Sequence, residues 1–110
     1  MRWVALWAGF VIPVILEVGC SQKPKQPPLS EAAERGRLVF MANCMACHNA
    51  DPAKSGTVGP AVQGSSRDLI EARVTRAGYP PGYTPKRETK LMIPLPQLAD
   101  RVDDLAAYLQ

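Results

Sequence analysis

The stretch Cys44-Met45-Ala46-Cys47-His48 limits what this chain can become more than any other. Two cysteines three positions apart on one helical turn direct their sulfurs to the same side, and an imidazole follows at once. This C-x-x-C-H spacing is the one by which a polypeptide takes haem covalently: the thiols add to the porphyrin vinyl groups and the histidine ligates the iron. A C-x-x-C pair also occurs in structural zinc sites and in redox dithiols. A closed zinc site needs four protein ligands, whereas the chain has one histidine, His48 itself, and one further cysteine, Cys20, in an N-terminal segment of another kind. A thioredoxin-like dithiol follows a strand in a βαβ setting. Here the motif closes a helical stretch, and no hydrophobic strand flanks it.

A length of 110 residues leaves room for one small domain, and part of it reads as targeting sequence. Met1 and Arg2 form a positive start, and the uncharged apolar run from Trp3 to Leu16 is interrupted only by Gly9 and Pro13. That run is shorter than the roughly 20 residues a spanning helix needs, so residues 1–19 are expected to be a secretory signal or an N-terminal anchor. They lead into Val18-Gly19-Cys20-Ser21, which resembles a bacterial lipobox, where the cysteine is acylated and becomes the new N-terminus. Glu17 stands where that motif has an apolar residue. The chain has 3 cysteines, an odd number; haem uses Cys44 and Cys47, and lipidation accounts for Cys20 in an exported protein. Simple cleavage and a retained anchor are the alternatives; an acyl chain and a retained apolar segment both bring the domain to a membrane. Residues 20–29, with Pro24, Pro27 and Pro28, read as an extended tether reaching on the order of 25 Å at about 3 Å per residue. A disordered leader with no spacing role fits the same composition.

The folded domain is expected over residues 30–110. Ser30 is a good N-cap, and Glu31 and Glu34 fall in the first turn, where the helix dipole favours negative charge. The helical stretch runs on to Cys44, with Leu38 and Met41 on one face by their spacing. Gly36 interrupts it at a cost of about 1 kcal/mol against alanine, which implies close packing there, or else merely a loose helix. Residues 49–64 have no periodicity and read as a loop. Ser65 or Ser66 caps a second helix from Arg67 to about Ala77, stopped by Gly78, with Leu69, Ile70, Ala72 and Val74 as its apolar face and Arg67, Arg73 and Arg76 as a solvated one. A long loop over residues 78–96 turns at Pro81-Gly82. A final helix is expected from about Asp100, with Val102, Leu105, Ala106 and Leu109 facing the core. So long an irregular loop is unusual in a compact domain; wrapped over a haem it is accounted for, because the ring supplies the apolar surface that a short chain lacks.

The pattern Gly36-x-x-x-Phe40-x-x-x-Cys44-x-x-Cys47-His48 resembles the start of a class I c-type cytochrome, and the resemblance extends from about Ser30 to the C-terminus. It implies an all-α fold of three to four helices around one covalent haem c. In that family the N-terminal helix crosses the C-terminal one at a small residue, matched here by Gly36, which admits an aromatic, matched by Tyr108. Pro60 of Gly59-Pro60 matches the proline whose carbonyl accepts the Nδ1 proton of the haem histidine, a contact that fixes the tautomer and raises basicity toward iron; a turn residue with no such bond is the alternative. Met92, followed by Ile93-Pro94, resembles the distal methionine segment with one residue inserted. Met45 lies inside the attachment motif and Met41 one turn before it, on the attachment side. A methionine is usually packing, but His48 with Met92 is the ligand set expected of an electron-transfer cytochrome c. Tyr79 and Tyr83 are candidate donors to the haem propionates. Lys86, Arg87 and Lys90 form a basic cluster that serves the propionates, attracts an acidic partner or is simply solvated.

The resemblance thus implies an electron carrier, not an enzyme, on the periplasmic side of a bacterial membrane. Its partners are expected to be redox proteins of a respiratory or periplasmic dehydrogenase chain. An electron-relay subunit of a larger periplasmic oxidoreductase and a haem-based gas sensor are the alternatives. The net charge of +3 names no partner, and none is expected among nucleic acids.

Overall fold

A computed structural model of the chain describes Gly19 and residues 26–110. Helix α1 spans Glu31–Asn43, α2 spans Arg67–Arg76, and a 3-10 segment, Pro96–Arg101, runs directly into α3, Val102–Leu109. No strand occurs among the described residues, so the expected all-α architecture of three to four helices is the one found. Residues 1–18 of the expected signal segment, Cys20 and the first part of the tether lie outside the described residues. No helix among the described residues is long and apolar enough to cross a membrane.

Each helix begins where its cap dictates. The Ser30 hydroxyl accepts from the Ala33 amide at 3.1 Å, and Ser66, rather than Ser65, accepts from Leu69 at 3.2 Å, each satisfying an amide that the first turn leaves without a partner. Helix α1 stops one residue before the motif. The Cys44 amide still donates to the Phe40 carbonyl at 2.8 Å, and the Cys47 and His48 amides donate to the Cys44 carbonyl at 3.2 and 2.9 Å. The motif is therefore a hydrogen-bonded turn at the helix end, which holds both sulfurs and the imidazole close together.

Helices α1 and α3 cross at Gly36. A Cβ on this residue would collide with the Asp104 carbonyl oxygen and lie 2.9 Å from Tyr108 Cβ. Close packing, not a loose helix, thus explains the glycine, and the backbone of Asp104 approaches more nearly than the aromatic. Beside the crossing, the Phe40 and Tyr108 rings lie 5.6 Å apart, tilted by 55°, a favourable aromatic geometry. The core gathers Phe40, Ile70, Val74, Val102, Leu105, Ala106 and Leu109, which includes the expected face of the last helix. Leu38 is a correction: it is 56% exposed, because the buried stripe of α1 runs through Ala33, Gly36 and Phe40.

Two further expectations change at α2. The residue in left-handed conformation is Ala77, at φ 52°, not Gly78; the Ala77 amide donates to the Arg73 carbonyl, the 5→1 bond of a left-handed helix ending, and the Gly78 amide to Ala72. Nor is the arginine face simply solvated. Arg67 bridges to Glu71 and to Asp103 of α3, both at 2.7 Å, and Arg73 Nη1 donates to the Ala77 carbonyl at 2.6 Å. The residues just before α3 form the 3-10 segment, which starts at Pro96 rather than near Asp100.

Candidate functional site

His48 is held from two sides. Its Nδ1 lies 2.8 Å from the Pro60 carbonyl oxygen. That oxygen only accepts, so Nδ1 carries the proton, and in the neutral ring Nε2 keeps its lone pair. Gly59 lies flat on the imidazole: a Cβ there would stand 2.5 Å from Nδ1 and 2.9 Å from Cγ. The Gly59 and Val58 amides donate to the Cys47 carbonyl at 2.9 and 3.3 Å, and the Gly56 amide to the Gly59 carbonyl at 2.9 Å. A Cβ on Gly56 would strike the Cys47 carbonyl oxygen. Residues 56–60 thus fold back against the attachment turn and fix the ring so that the Nε2 lone pair is available to a ligand.

His48 and the two cysteines line a mostly apolar cleft that is open to solvent on one side. Apolar residues of every helix contribute to its wall, among them Phe40, Ile70, Val74, Leu105 and Leu109, together with Val58 and Val62. Met92, Pro60, Tyr79 and Tyr83 line the same space. All the candidate site residues that fall among the described residues are therefore brought to one cleft. Cys47 is exposed and Cys44 half-buried. Burial, with the Cys47 charge adding to it, pushes the Cys44 thiol up to about 11.

The two tyrosines stand as a pair, with ring centroids 5.4 Å apart and planes within 9°. The Arg73 guanidinium sits over Tyr79 at 4.3 Å from the ring centroid, a cation–π contact. Arg73 lines the cleft, and the sequence offered no sign of it, because its partners come from the loop that follows α2. Half-buried Arg87 of the basic cluster lines the cleft and is tied down by the backbone as well: its Nη1 donates to the Val58 and Gly56 carbonyls at 2.9 and 3.2 Å.

The fit to haem rests on this arrangement. Two thiols and a tautomer-fixed imidazole share one turn, facing an apolar cleft opened between the helices. A family model described as Cytochrome c matches residues 33–110. The chain belongs to the cytochrome c family. No curated protein and no solved structure matches it. As a cytochrome c it carries haem c covalently, with Cys44 and Cys47 fitting the attachment pair, and it is a haem-based electron carrier. The haem supplies an iron that takes up and releases an electron. Of the cytochrome's own residues, Cys44 and Cys47 would tether the ring, His48 could present Nε2 to its iron, and the apolar wall of the cleft would cover its faces.

Proposed function

We propose that this cytochrome transfers single electrons outside the cytoplasm, with His48 and Met92 as the two axial ligands of its haem. The observation that carries the proposal is that Met92 lines the same cleft as Cys44, Cys47 and His48, on a loop long enough to close over the ring. Methionine is a ligand that raises the potential of a c-type haem. With both axial positions taken by the protein, no position is left for a substrate, which supports electron transfer without catalysis. Tyr79 and Tyr83 stand on one wall, where their hydroxyls suit the haem carboxylates. The charged start, the apolar run and the lipobox-like Cys20 support a position on the periplasmic side of a bacterial membrane, with the domain held through acylated Cys20 or the apolar segment before it. There it exchanges electrons with redox proteins of a respiratory or dehydrogenase chain.

The test is optical. Wild-type holoprotein is expected to be low-spin and to show the weak long-wavelength sulfur-to-iron charge-transfer band, and Met92→Ala to lose that band and to have a lower midpoint potential. A band that is missing in the wild type, or unchanged in the variant, rules out Met92.

A further inference from the structure

Among the described residues, only two side chains hydrogen-bond the stretch 84–94, which carries Met92, to the remainder of the fold. Lys86 is exposed and reaches the Ala61 carbonyl at 2.9 Å. Arg87 is half-buried, and its Nη1 takes two carbonyls at once, Val58 at 2.9 Å and Gly56 at 3.2 Å. Those carbonyls belong to the segment that lies against the attachment turn and positions His48 through Gly59 and the Pro60 carbonyl. One guanidinium therefore spans from the backbone beneath the histidine to a loop position five residues before the methionine.

We infer that Arg87 is a positioning residue, fastening the Met92 loop to the backbone that holds His48, so that one contact sets both sides of the haem site. The inference rests on the proposed ligation by Met92. A hydrogen bond from a charged donor is about twice as strong as a neutral one, and a half-buried guanidinium cannot simply be exchanged for water. The Arg87 contact and the methionine ligand favour the same closed loop, so each stabilises the other. Removing the contact enlarges the fraction of molecules in which the loop has swung off the iron. The apparent affinity of an external ligand rises in proportion to that fraction.

The experiment titrates ferric holoprotein with imidazole in the wild type, Arg87→Ala, Arg87→Gln and Lys90→Ala, alongside the sulfur-to-iron band and the midpoint potential. Lys90 is an exposed cation of the same loop, so its removal changes the charge equally without touching the carbonyls of residues 56 and 58. Arg87→Ala is expected to bind imidazole roughly tenfold more tightly than the wild type, with a weaker band and a lower potential, while Lys90→Ala matches the wild type. Imidazole affinity, band and potential all unchanged in Arg87→Ala would overturn the role of Arg87, as would an equal effect from Lys90→Ala. Should Arg87→Ala not accumulate with haem attached, Arg87→Gln decides by the same two comparisons. A wild type with no sulfur-to-iron band overturns ligation by Met92 itself, a failure visible before any Arg87 variant is measured.

Discussion

Gly36 and Gly59 show how much a single missing methyl can carry. At Gly36 the added carbon of alanine meets the backbone of the opposite helix, which no side-chain rotation relieves. Gly36→Ala is expected to cost about 1–3 kcal/mol, read as a lower midpoint in guanidinium unfolding of the holoprotein. At Gly59 the obstruction is the His48 ring. Gly59→Ala is expected to turn the imidazole away from the Pro60 carbonyl, and the midpoint potential reports it, because that hydrogen bond sets the basicity of the ligating nitrogen. Charge acts at the same scale. Asp104 is a buried carboxylate that Arg35 clasps at 2.9–3.2 Å, and hydrogen bonding by Arg35 holds its pKa below the ordinary 3.8. With the folded value depressed, this contribution is present in full above the ordinary carboxylate range and fades as pH falls through the folded value. The wild type is therefore expected to lose part of its stability in acid, below about pH 4. Asp104→Asn should be less stable at neutral pH, with a flatter thermal midpoint across that acidic window.

At the element scale, the end of α2 holds the one non-glycine residue of positive φ among the described residues. The way the helix ends needs a left-handed residue, and Ala77 takes that position at φ 52°, although glycine stands next to it. A left-handed L-residue costs about 1–2 kcal/mol, partly offset in any comparison by glycine's greater entropy when unfolded. Ala77→Gly is thus expected to stabilise the cytochrome by roughly 0.5–1 kcal/mol, measured by thermal unfolding. Arg73 works against the strain by donating to the Ala77 carbonyl while it covers Tyr79. The end of α2 and the tyrosine wall of the cleft are consequently one structure. From there the chain passes through the Met92 loop and is pinned again where the Leu95 amide donates to the Val74 carbonyl at 2.6 Å. Both ends of the loop are anchored on α2, and its middle is anchored through Arg87 beneath His48.

At the scale of the whole fold, a small core lies directly against the cleft. The buried apolar side chains among the described residues are few, and several of those that pack together in the core also form the cleft wall. A domain this small cannot supply much stability from its own core, so the haem ring has to complete it. Replacing both attachment cysteines, Cys44→Ser with Cys47→Ser, is expected to leave a chain that unfolds at a far lower temperature than the holoprotein and with a shallower transition. Far-ultraviolet circular dichroism against temperature checks this, and an equally steep melt at the holoprotein's temperature would show a self-sufficient core.

Much of this cytochrome is legible in its residues because local chemistry decides it. The spacing of Cys44, Cys47 and His48, the caps at Ser30 and Ser66 and the apolar face of α3 depend on neighbours within a turn or so. The family resemblance also pointed to Pro60, whose carbonyl does lie against His48. What the tertiary structure alone decided involves partners far away in sequence. Leu38 has helical spacing suited to a core, but the crossing at Gly36 selects another face of α1. Arg73 and Arg87 look like surface cations in the sequence, and only the return of distant loops gives them an aromatic ring and two carbonyls to bind. Hydrogen bonds and cation–π contacts between such segments leave no periodicity in the chain. They depend on where loops come together, and that is settled by packing around the cleft.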